Sequence, residues 1–171
     1  MSLNLADQYY LKALDGYPYN LEESIENLNY ALSYDPEHAG ANCLMAKFQM
    51  EYLRDYDMAE YFYKLAISSN PENIQVYEEY TALAIKQNDF GKAAKLIRFT
   101  HQLKGADRGK LFALEALMCE YQKNYRKSEM LLLQALENSY THHQTQFLEK
   151  ELERVRHKII MRHPYKYEYE E

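Results

Sequence analysis

The sequence predicts an all-α protein: a right-handed array of helical hairpins, an α-solenoid, ended by a C-terminal capping helix. Three observations predict it. The chain is similar to itself at a period of about 34 residues, each repeat opens with an Asn or Asp ahead of an apolar stripe, and Gly and Pro are scarce, with five and four copies in 171 residues. Strand-like alternation is confined to the last few residues.

Asn20, Asp55, Asp89 and Asn124 are spaced 35, 34 and 35 residues apart. Behind them run four more columns of constant chemistry: Leu21, Tyr56, Phe90 and Tyr125; Ser24, Ala59, Ala93 and Ser128; Leu28, Tyr63, Ile97 and Leu132; Ala31, Ala66, Thr100 and Ala135. The Asx residue is an N-cap whose side-chain oxygen accepts an otherwise unpaired backbone N–H of the first turn. Asn20 with Glu23 forms a capping-box pattern. The small residue admits a neighbouring helix, and the next two columns continue the same stripe. A helix of about a dozen residues therefore starts at each Asx.

A further helix precedes each of these. Asp35-Pro36-Glu37 and Asn70-Pro71-Glu72 read as an Asx cap followed by Pro at the first helical position. The stripes that follow are Ala41, Leu44, Met45, Phe48 and Tyr52, then Val76, Tyr77, Tyr80 and Ala84, and in the last unit Leu111, Phe112, Ala116 and Cys119. An exposed end of such a stack needs a cover. Thr141 with Gln144 gives another capping box, and Phe147, Leu148, Leu152, Val155, Ile159 and Ile160 read as one apolar stripe on a closing helix that Pro164 stops. The expected organisation is a single domain over 1–163, with units near 3–35, 36–70, 71–105 and 106–140, a capping helix over 141–163, and a flexible Tyr/Glu-rich tail over 164–171.

These hairpins resemble the tetratricopeptide repeat family. The matching segments are Asp55-Tyr56-Asp57-Met58-Ala59 with Ala66 and Pro71, and Asn88-Asp89-Phe90-Gly91-Lys92-Ala93 with Thr100. The first unit departs from the pattern at Gly16-Tyr17-Pro18-Tyr19, and the fourth has Tyr140 where the family has a terminal Pro. The resemblance implies a concave groove, lined by the first helix of each unit, that receives a peptide or helix of another protein. Carried over by position, the lining is Leu44, Phe48, Glu51 and Tyr52, then Gln75, Glu78, Ala82 and Lys86, then Lys110, Ala113, Leu117 and Tyr121. The Lys/Asn/Arg set by which one branch of the family grips chaperone C-termini is replaced here by Leu44, Phe48, Glu79 and Leu114.

Charge and motifs narrow the function classes. A net charge of −6 argues against a nucleic-acid binder, although residues 154–171 carry +2. The basic run Arg154, Arg156, Lys158, Arg162 and Lys166 is read as complementing the negative end of a helix dipole, with an acidic partner, phosphate or RNA as the competing reading. No apolar run reaches the roughly 20 residues that cross a bilayer. Cys43 and Cys119 form no CxxC pair, and with no leader pattern at the start the expected location is the cytoplasm.

His142, His143, His157 and His163 lack the spacing that converges on one ion, so no metal site is expected. No phosphate loop, GxSxG or HExxH motif is present, and neither catalytic residue nor cofactor is assigned. The functional expectation is a non-catalytic adaptor or chaperone-like module. Self-association through the C-terminal helix and tail, as a homo-oligomer, is the alternative.

Overall fold

The computed structural model describes residues 4–162, and every regular element among them is helical. The helices are α1 (Leu5–Gly16), α2 (Leu21–Tyr34), α3 (Ala39–Phe48), α4 (Tyr56–Ser69), α5 (Ile74–Lys86), α6 (Phe90–Thr100), α7 (Arg108–Tyr121), α8 (Tyr125–Glu137) and α9 (His142–Arg162). A π-helical turn, Gln49–Leu53, continues α3. The chain divides between Leu83 and Ala84 into two compact units. His163, Pro164, Lys166 and the tail lie outside the described residues.

The four Asx caps form as the period predicts. The side-chain oxygens of Asn20, Asp55, Asp89 and Asn124 accept from the backbone N–H groups of Glu23, Met58, Lys92 and Lys127, at 3.4, 3.0, 2.9 and 3.3 Å. Each of these residues also closes the helix before it. The N–H groups of Asp89 and Asn124 reach back five residues to the carbonyls of Ala84 and Cys119, with Asn88 and Lys123 between in the left-handed conformation at φ 60° and 59°. This is the C-terminal closure that satisfies the last carbonyls of a helix. One short turn thus ends the first helix and caps the second.

The spacing of 35 between Asn20 and Asp55 has its explanation here. Asp55 N–H reaches back six residues, to Gln49, and Arg54 takes the left-handed position at φ 54°. A π turn accommodates one inserted residue within a helix. The extra residue of this repeat is therefore absorbed inside the first helix, not in a loop.

The Asp35-Pro and Asn70-Pro segments do not start helices. Their side-chain oxygens accept from the N–H two residues on, at Glu37 and Glu72 (3.0 and 3.3 Å), and their carbonyls accept from His38 and Asn73. These are Asx turns, a conformation that competes with helix capping for the same residue types. α3 begins later, at Ala39, and its cap is His38, whose Nδ1 accepts from Ala41 N–H at 3.0 Å.

In the unit before Ala84, Ala13, Leu28, Ala31, Ala41, Leu44 and Met45 form one core, with Tyr9, Tyr10, Tyr17 and Phe62 packed against it. The three inner repeat columns are buried in all four copies. Their hydroxyls are satisfied locally: Ser24 donates to the Asn20 carbonyl, Thr100 to Leu96 and Ser128 to Ala116, at 2.7 to 2.8 Å. Burial without a partner would cost roughly 1–3 kcal/mol for each such group.

In the unit from Ala84, two clusters form. Ala84, Ile85 and Ala93 pack with Leu96, Leu117 and Met118. Ala116, Cys119, Leu131, Leu132 and Ala135 pack with Leu148, Leu152, Val155 and Ile159 of α9. The closing helix therefore covers the α7–α8 hairpin, but the apolar stripe is narrower than the sequence reading. Phe147 and Ile160 are 54% and 45% exposed. Thirteen residues apart on a helix of about 100° per residue, they project to opposite sides of the buried row.

Candidate functional site

In the first unit, α1, α3 and α5 line a shallow cleft of about 90 Å³. Its walls are Tyr10, Leu14 and Tyr17 on one side, Gly40, Cys43, Leu44 and Lys47 in the middle, and Asn73, Gln75 and Glu79 on the other. Each wall comes from a first helix of a hairpin or the turn beside it. Gly40 is required by the close approach of Tyr10: a Cβ there would lie 2.7 Å from the Tyr10 ring carbon Cζ. The Tyr10 ring also packs 4.9 Å from that of His38, which in turn pairs with Asp7 at 3.0 Å.

Glu79 is the polar centre of the cleft. Gln75 donates to its Oε1 at 3.0 Å, while the Tyr63 hydroxyl and the Cys43 thiol lie 3.4 Å from its Oε2. Burial, followed by the negative charge of Glu79, pushes the Cys43 thiol and the Tyr63 hydroxyl well above their ordinary ranges. Tyr10 is raised by burial and by Cys43 and Glu79. All three keep their protons at neutral pH, and Tyr63 and Cys43 serve as donors to Glu79. Cys43 is a buried thiol, not the thiolate a nucleophile requires.

An aromatic group adjoins the cleft. The Tyr17 hydroxyl donates to Glu51, and burial with that carboxylate raises its pKa. Lys47 stands 5.2 Å from the centre of the Tyr17 ring. Tyr52 meets Tyr17 edge-on at 6.0 Å and stacks on Phe48 at 5.4 Å. Tyr52 belongs to the π turn, so the residue inserted in this repeat places it against Tyr17.

Of the residues carried over by position, Leu44 and Gln75 meet in this cleft, and Phe48, Glu51 and Tyr52 lie in the adjoining group. Leu44 and Phe48 are buried, whereas Gln75 is exposed and Glu78 and Ala82 are half-buried. In the second unit Lys86, Ala113 and Leu117 are half-buried and Lys110 and Tyr121 exposed, with Leu117 packed on the Ala84–Ala93 cluster. Tyr10, Leu14 and Tyr17 come from the irregular first repeat, which the positional carry-over does not reach, and Lys47 stands one residue before the Phe48 position of the second. Tyr10 and Tyr17, seven apart on one helical stripe, were the available signal.

The basic run of α9 has another role than a helix dipole. Arg154 forks onto Glu120, with one N–H at 2.8 Å from Oε2, and also binds Glu151. Lys158 reaches Glu120 at 2.5 Å. Arg156 binds Glu129 of α8 at 2.8 Å, and Arg162 donates to the Lys123 carbonyl at 2.9 Å. These cations fasten α9 to the ends of α7 and α8. Burial by itself would push the Glu120 carboxyl up, but hydrogen bonds and charge from Arg154 and Lys158 outweigh it and hold the pKa below its ordinary value. Among the described residues no group of three or more His, Cys, Asp or Glu is placed to hold a metal ion. No helix among them is long and apolar enough to cross a membrane.

The structure described as the functional characterisation of Pseudomonas aeruginosa PilF superposes on this chain with a TM-score of 0.72. The alignment covers 91% of this chain and 69% of that one, at 21% identity. The fold is a tetratricopeptide-like helical repeat. At that identity the likeness concerns architecture alone, and function has to be argued from the site. No protein-family model and no curated protein matches the chain.

Proposed function

We propose that the chain is a tetratricopeptide repeat protein, one domain over 1–163 of four hairpin units and a closing helix, that holds a segment of another protein and catalyses no reaction. The cleft of the first unit carries this reading. Its composition suits an inserted peptide: apolar Leu14 and Leu44 for an anchor, Tyr10 and Tyr17 as rigid amphipathic walls, and Lys47 and Glu79 as opposite charges that fix orientation. Gln75, Phe48, Tyr52, Glu78 and Ala82 extend this face, and in the second unit Lys86, Lys110, Ala113, Leu117 and Tyr121 offer the equivalent first-helix surface. A groove built this way takes an amphipathic helix or an extended segment with apolar anchors.

Leu14 and Gln75 are exposed, so Leu14→Glu/Gln75→Arg alters the cleft without touching the core. The test is capture of partners from the native extract by the wild type and by this variant, with equal thermal unfolding of the two as a control. The reading expects one protein retained by the wild type and reduced about tenfold or more in the variant. Equal recovery by both proteins would refute the cleft as the binding site.

A further inference from the structure

The two units differ sharply in charge. Residues 1–83 carry four Lys/Arg against fourteen Asp/Glu, a net −10, and residues 84–171 carry sixteen against twelve, a net +4. The cations nearest the C-terminal end of α9 do not provide an open positive surface, because Arg154, Arg156, Lys158 and Arg162 are bound to Glu120, Glu129, Glu151 and the Lys123 carbonyl. An exposed basic pair lies on α6, where Lys95 and Arg98 stand beside Phe99, itself 42% exposed.

The repeat makes a direct comparison possible. Counted from their Asx caps, Lys95 and Phe99 of α6 stand in the same columns as Glu26 and Tyr30 of α2. Glu26 is exposed and Tyr30 is 46% exposed, and the Tyr30 ring is held against Tyr9 at 5.1 Å. Two helices of one chain thus present the same spacing of charge and aromatic ring with the charge reversed. Laid alongside each other in parallel, they place carboxylate against ammonium and ring against ring.

We infer that α2 of one copy docks on α6 of a second copy, in a head-to-tail contact. The occupant is a second copy and not a generic polyanion, because the matched columns include the aromatic residue as well as the charge. The contact is heterologous: the two copies meet through different patches. Because the charges are exposed, it is weak and sensitive to salt.

The test is sedimentation velocity on the full chain over a range of concentrations, at about 10 mM and about 1 M salt, where the screening length falls from about 30 to 3 Å. The wild type is expected to gain mass with concentration at low salt and to be monomeric at high salt. Lys95→Glu/Arg98→Glu and Glu26→Lys should each weaken association about tenfold or more, since each sets like charges against each other. An equimolar mixture of the two variants should associate again, because the acidic α6 of one then meets the reversed charge on α2 of the other. The neutral variant Lys95→Ser/Arg98→Ser, expected to weaken association less, serves where a reversal perturbs folding. Monomeric wild type at low salt, association that survives high salt or the α6 reversal, or a mixture that stays monomeric would each overturn the inference. So would mass gain that appears only when heparin is added.

Discussion

Glu120 is 7% exposed in the last turn of α7, a position where both burial and the helix dipole disfavour a carboxylate. It is tolerated because Arg154 and Lys158 face it. The perturbation that isolates this is Arg154→Met/Lys158→Met, which keeps the aliphatic stems and leaves the carboxylate alone. Removing the partner of a buried charge costs about 3–5 kcal/mol.

The structure lowers that figure in two ways. The two cations are themselves 40% and 43% exposed, so water has a path toward Glu120 once they are shortened. The carboxyl can also escape by taking up a proton. From an unfolded value of 4.5, protonation at pH 7 costs about 3.4 kcal/mol at 1.36 kcal/mol per pH unit, which is a ceiling on the penalty the unpaired carboxylate imposes on the variant. A loss of about 2–3 kcal/mol at pH 7 is expected.

The pH dependence has opposite signs in the two proteins. In the wild type the folded pKa of Glu120 is depressed, so its contribution is complete above about 4.5 and is lost as pH falls through the folded value. In the variant the folded pKa is raised, so the unfavourable term is largest at pH 7 and shrinks toward pH 5. Urea unfolding followed by far-ultraviolet circular dichroism at pH 7 and pH 5 reads both. The added substitution Glu120→Gln should recover most of the loss at pH 7. A deficit below about 1 kcal/mol at pH 7, or one equal at the two pH values, would refute the reasoning.

Other predictions follow from the turns and the core. Lys123→Gly relieves a left-handed lysine at φ 59° and should stabilise the protein by about 0.5–1 kcal/mol in urea unfolding, whereas Asn88→Gly, at a residue that tolerates this conformation, should change it less. Leu28→Ala empties a fully buried site in the first core and should cost about 2–5 kcal/mol by the same measurement. Gly40→Ala drives a methyl group into the Tyr10 ring; a loss of about 1–3 kcal/mol, together with weaker partner capture, is expected.

The hairpin array was legible in the sequence because its signals are local and repeated. An Asx oxygen finds the N–H three residues on whatever surrounds it, and Ser24, Leu28 and Ala31 share one face of a helix by spacing alone. Four copies in register made those signals decisive. Where two local structures compete for one residue type, the sequence misled: Asp35 and Asn70 could cap a helix or make an Asx turn, and the turn formed. The tertiary structure also decided which of two apolar neighbours on α9 is covered, since Leu148 and Ile159 are buried in the cluster with α7 and α8 while Phe147 and Ile160 stay about half exposed.

The site belongs almost wholly to this second class. Glu79, Tyr63, Cys43 and Gln75 converge from three helices, and the bond between Glu120 and Arg154 joins residues 34 apart. No periodicity records such pairings, because they depend on how hairpins stack and not on what any one helix prefers. The sequence by itself determined which segments are helical and which faces they bury; only packing determined which polar groups those faces bring together.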